Sequence, residues 1–220
     1  MRIAYLIEPT LLHLDSIETD VRLLCMTAKD FGFPTVLVLP VWARFAVTAV
    51  AGSSVQVDVA VGYPMGTHTA SVKGLETRLA LEEGATEITL VPNLSAYKTG
   101  RRLVFGQEVA YVFKQAHLVH PNALVKVLIY LDVLNLNEQR EVVRIVRENG
   151  ASFLLLSRYD RQPVTPTAIR HLKDLVDPGL QLGVMSAIRT LPEAQRLLDL
   201  GLSRLLTPHA VDLVKEKDQV

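Results

Sequence analysis

The chain has 220 residues, a length that suits one domain with a full buried core. Lysine plus arginine, 23, balances aspartate plus glutamate, 23, so no charge excess points to nucleic acid or an anionic membrane, and a small molecule is the expected partner. One cysteine, Cys25, excludes an internal disulfide and a cysteine-based metal cluster, which suits a reducing cytoplasm, and no stretch approaches the roughly 18 apolar residues of a membrane helix.

The first apolar run, IAYLIE (3–8), predicts a strand and is too short for a signal peptide. Seven more strands are predicted at TVLVLP (35–40), VQVDVAVG (55–62), EITLVPN (87–93), VKVLIYLD (125–132), FLLLSRYD (153–160), QLGVMSAI (181–188) and RLLTPH (204–209). Helical patterns lie between them. In NEQREVVRIVRENG (137–150), Val142, Val143, Ile145 and Val146 form an apolar stripe, and Gly150 supplies a left-handed stop. Gly32, Gly84 and Gly201 hold the same place before later strands. The mean hydropathy of +0.25 fits strands buried on both faces, as parallel sheets require. The final LVKEKDQV (213–220) reads as a fraying end. Repeated βα units fit a (β/α)8 barrel over a single domain, 1–220, or a doubly wound open sheet, although no G-x-G-x-x-G follows the first strand to favour the sheet.

The segment VGYPMGTHTASVKGLETRLALEEGATEITLVPNLSAYKTG (61–100) runs as a strand, a G-[FY]-P-x-G turn, a helix and a GA-x-EI-x-x-V strand. In this it resembles the deoxyribose-phosphate aldolases. The likeness continues through IEPTLLH (7–13), VKVLIYLDVL (125–134), GASFLLLSRYD (150–160) and IRTLPEA (188–194), covering nearly the whole chain. The resemblance implies the barrel, with its active site at the C-terminal ends of the strands.

It also implies a loss. A Schiff-base aldolase needs a lysine with a depressed pKa, tuned by burial or a second cation. Against the family's GADFVKTSTGF-like sixth strand, Leu155 falls at the nucleophilic lysine, and against its VKASGGIRT-like seventh strand Met185 falls at the second lysine. Thr89 falls at the proton-relaying aspartate of the fourth strand. The family's phosphate turns are altered too: VMSAIRT is two residues short of the Gly-Gly turn, and Leu206, Pro208, His209 and Ala210 stand where a GTSSG-like turn has small residues.

Strand parity together with the family register nominates what remains. Glu8, Asp132, Tyr130, Tyr159 and His209 are the candidate catalytic groups, while Asn93, Ser157, Arg158, Arg189 and Lys126 are the candidate substrate contacts. Glu8 and Asp132 are expected to open to one cavity walled partly by Leu39, Leu155 and Met185. No spacing suggests a metal, and no cofactor is implied. The ionisable residues left at the strand ends favour non-covalent acid/base chemistry on a small metabolite; the alternatives are a pseudoenzyme that binds a ligand or protein, and a divergent aldolase using Lys126, which the lost phosphate turns disfavour. A homo-oligomer is left open.

Overall fold

A computed structural model describes residues 3–174 and 179–215. Eight parallel strands pair in sequence order and the eighth pairs with the first, closing a barrel. They are β1 (Ile7–Leu11), β2 (Thr35–Val38), β3 (Gln56–Val61), β4 (Glu87–Leu90), β5 (Leu124–Tyr130), β6 (Phe153–Ser157), β7 (Gln181–Met185) and β8 (Arg204–Thr207). Around them lie α1 (Glu18–Phe31), α2 (Ala43–Val50), α3 (Ala70–Glu82), α4 (Leu94–Lys98), α5 (Arg102–Val119), α6 (Leu136–Glu148), α7 (Pro166–Lys173), α8 (Leu191–Asp199) and α9 (Ala210–Lys215).

Local chemistry sets the boundaries. Asn135 caps α6 by accepting from the Glu138 N–H, and the Glu138 carboxylate accepts the Asn135 N–H in return. The expected stripe of Val142, Val143, Ile145 and Val146 is buried, and Gly150 has φ 106°. One expectation needs correction. The first strand begins at Ile7, because Ile3–Leu6 form a 3₁₀ turn whose Ile3 and Ala4 are buried in the core. Apolar content there reports burial, which a turn and a strand satisfy equally. The other runs end as strands before their last residues, which belong to the loops after the strands. Of the segment read as a fraying end, 213–215 belong to α9 and 216–220 lie outside the described residues.

Alternate strands fill the barrel interior in layers. At the bottom, Thr35 donates to Glu87 at 3.0 Å and accepts from Arg204 at 3.2 Å, with Phe153 completing the ring. Next come Glu8, Asp58, Lys126 and Gly183. By strand alternation, Leu37, Thr89, Leu155 and Leu206 form a third layer, all with no exposed surface. Above it, Thr10 and Met185 begin the open end.

Candidate functional site

A cavity of about 390 Å³ opens above that third layer, at the C-terminal ends of the strands. Its floor is Thr10, Ser157 and Met185; its walls include Tyr63, Tyr130 and Tyr159, with Arg158 and Arg161 on the loop after β6. Four of the ten nominated residues line it: Tyr130, Tyr159, Ser157 and Arg158. Ser157 donates its hydroxyl to the Met185 carbonyl at 2.9 Å, tying β6 to β7 at the floor. Tyr130 donates to the Pro64 carbonyl at 2.8 Å, and burial raises its phenol pKa. Its ring meets that of Tyr159 edge to face, with centroids 5.5 Å apart.

Asp132 does not enter the cavity. Its two carboxylate oxygens accept the backbone N–H groups of Tyr159 and Asp160, at 2.8 and 3.1 Å, so it fixes the loop that carries the cavity's wall. Arg158 forms a two-pronged pair with Asp160, which in turn accepts the Gln162 N–H at 3.0 Å. The turn after β3 is held from behind: Lys73, fully buried, donates to the Gly66 carbonyl and to Glu108 at 2.7 Å, and Glu108 also accepts the Asn93 N–H. Asn93 caps α4 by accepting from Ala96, and it does not line the cavity.

Glu8 lies two layers below the cavity, within a buried charged cluster. Lys126 donates to both Glu8 oxygens, at 2.8 and 3.0 Å, and lies 2.8 Å from a carboxylate oxygen of Asp58 and of Glu87. Arg204 approaches Glu8 at 3.3 Å. Burial opposes the Lys126 charge, but Asp58, Glu8 and Glu87 together hold its ammonium charged to higher pH than usual. Burial pushes the Glu8 carboxyl up to about 8 in spite of Lys126. The carboxylates of Glu8, Asp58 and Glu87 converge closely enough to ligate a cation, but the Lys126 ammonium already sits among them. Glu8 and Asp132 therefore share no cavity, and of the expected walls Leu39, Leu155 and Met185 only Met185 lines it.

Arg189 and His209 stand beside the mouth. The Arg189 N–H donates to Glu193 at 3.1 Å, and His209 lies 3.7 Å from Asp212. Burial and the Arg189 charge hold the His209 imidazole pKa below its ordinary value, and His13, which lines the cavity, adds to the effect. The sequence reading missed Tyr63, Arg161, Gln162 and His13. Tyr63 and His13 lie inside motifs quoted for the resemblance, and Arg161 is one residue past the run that was read as β6.

No family model matches the chain. The deoxyribose-phosphate aldolase of Halalkalibacterium halodurans is 30% identical over 214 residues, covering 96% of this chain and 94% of that protein. The chain belongs to the deoxyribose-phosphate aldolase family. The Geobacillus deoxyribose-phosphate aldolase is 29% identical over 216 residues, 98% of this chain and 96% of that one. Among solved structures, the tetrameric deoxyribose-phosphate aldolase of Aeropyrum pernix superposes with a TM-score of 0.88 at 26% identity, over 99% of this chain and 92% of that one. An aldolase designated QR15 superposes at 0.92 with 25% identity, over 99% and 96%. In this deoxyribose-phosphate aldolase barrel, Leu155 lies in the sealed third layer and packs toward Gly183, while Met185 reaches the cavity floor.

Proposed function

We propose that the cavity binds a small organic anion without covalent chemistry, and that the chain does not run an imine aldolase reaction. The observation that supports this is the make-up of the lining. Among the described residues it contains no lysine, aspartate or glutamate, and its charged groups are the guanidiniums of Arg158 and Arg161 set among three tyrosines. Leucine at 155 and methionine at 185 offer no amine. A divergent aldolase built on Lys126 is opposed by that residue's place, fully buried and paired with three carboxylates that keep it protonated.

A second reading keeps acid/base catalysis but moves it away from Glu8 and Asp132. It is favoured by the lowered pKa of His209 next to His13 and Arg189, which leaves a neutral imidazole near the mouth at pH 7 to accept a proton. The test of the main reading has two arms. Purified chain is incubated with 2-deoxyribose 5-phosphate or acetaldehyde and borohydride, and mass spectrometry is expected to show no adduct beyond the surface-lysine labelling of a control protein. Titration calorimetry with small carboxylates and phosphates is expected to show binding. A reduced adduct on Lys126, or on one lysine far in excess of the labelling of surface lysines, would establish imine chemistry and overturn the proposal.

A further inference from the structure

We infer that Arg161 is the anion anchor of the cavity and that its ligand is a one-ring aromatic monocarboxylic acid. This rests on the reading that the cavity binds a small organic anion. Among the described residues Arg161 is the only non-glycine with positive φ, 62°, a conformation that disfavours any β-carbon. Such a conformation persists only where its surroundings over-determine it, and here they do. The N–H groups of Tyr159 and Asp160 are taken by Asp132, that of Arg161 by the Arg158 carbonyl at 3.2 Å, and that of Gln162 by Asp160. Four consecutive donors are thus fixed around one strained residue on the cavity wall.

The two mouth guanidiniums are not equivalent. Arg158 is neutralised by its two-pronged pair with Asp160. No ion pair joins Arg161 to a carboxylate among the described residues, and its charge acts on the phenols of Tyr63 and Tyr130, pulling down pKa values that burial raises. One free guanidinium presents a planar fork that suits one carboxylate. A phosphate dianion would leave excess negative charge beside the tyrosine rings and Met185, with Pro208 offering no N–H at the lining. The edge-to-face pair Tyr130–Tyr159, with Tyr63 and Leu12 also on the lining, supplies aromatic and apolar surface for a flat body. Thr10 and Ser186 place hydroxyls for a ring substituent.

Calorimetry with benzoate, phenyl phosphate, inorganic phosphate and benzyl alcohol tests this on the wild type, Arg161→Gly and Arg161→Gln. Glycine accepts the left-handed backbone, so Arg161→Gly is expected to melt at or above the wild-type temperature while binding benzoate about ten- to a hundredfold more weakly, as loss of a charged hydrogen-bond pair implies. Arg161→Gln keeps the β-carbon and loses the charge; it is expected to show the same loss of affinity. Benzyl alcohol and both phosphates are expected to bind wild type at least about tenfold more weakly than benzoate. Benzoate binding that survives both substitutions, or phosphate binding that exceeds benzoate binding, would overturn the inference and leave the anion-binding reading standing. No binding of any probe to the wild type would overturn both.

Discussion

Both carboxylate oxygens of Glu8 accept hydrogen bonds from the Lys126 ammonium, where neither side chain reaches solvent. The two residues join β1 to β5 across the barrel, and the buried ammonium finds its hydrogen-bond partners there. Lys126→Met would leave Glu8, Asp58 and Glu87 facing one another with Arg204 as the remaining cation. Unfolding in urea is expected to show a loss of about 3–5 kcal/mol, the range for breaking a buried pair from one side. A loss under about 1 kcal/mol would put the ammonium outside the barrel's stabilising contacts.

The same cluster sets a pH dependence. The Glu8 carboxyl is raised from 4.5 to about 8, chiefly by burial, so between those values the folded chain holds a proton that the unfolded chain releases. The stability from this group is fully present below its unfolded pKa and is lost as pH rises through about 8. Glu87, held low by Lys126 despite its own burial, acts in the opposite sense and contributes above its unfolded pKa. Melting temperature is expected to fall from pH 6 to pH 9 in the wild type and to fall much less in Glu8→Gln. Parallel curves for the two proteins would assign the slope to other groups.

Asp132→Ala removes the acceptor for the Tyr159 and Asp160 N–H groups. Because Asp132 is exposed, water takes over part of that role, and the expected stability loss is modest, about 1 kcal/mol. Hydrogen exchange at those two amides is expected to speed up by more than the global stability change explains. Unchanged protection would mean that the loop is held by other contacts.

Gly183 leaves no room for a side chain inside the barrel. A β-carbon there would lie 2.8 Å from Leu155 Cδ2 and 2.9 Å from the Arg204 carbonyl oxygen. Gly183→Ala is expected to cost about 1–3 kcal/mol by overpacking, measured by denaturant unfolding. A neutral result would show that β8 yields more easily than its ladder with β7 suggests.

Much of the barrel was legible because buried strands and left-handed helix stops leave local signatures, as at Val142 to Gly150. The inward aim of Lys126 was legible as well through strand alternation, and that of Glu8 through the family register. Their depth was not. Alternation says which side of a strand a residue faces, whereas height along the barrel depends on the stagger between strands, which sets Asp58 beside Glu87 and Lys126 beside Thr89. Asp132 was misplaced for a related reason: the chain leaves β5 at Tyr130 and turns, so counting by twos past that point no longer describes a strand. Arg161 carried no sequence signal, since nothing local marks an arginine as left-handed.

The third interior layer interrupts the polar groups along the barrel axis. Leu37, Leu155 and Leu206 carry no polar side-chain atoms, and Thr89, the exception, donates its hydroxyl downward to Asp58. No chain of exchangeable protons crosses from the charged cluster to the mouth through these four side chains. Protons taken up or released by the cluster therefore reach solvent by a route other than these four side chains.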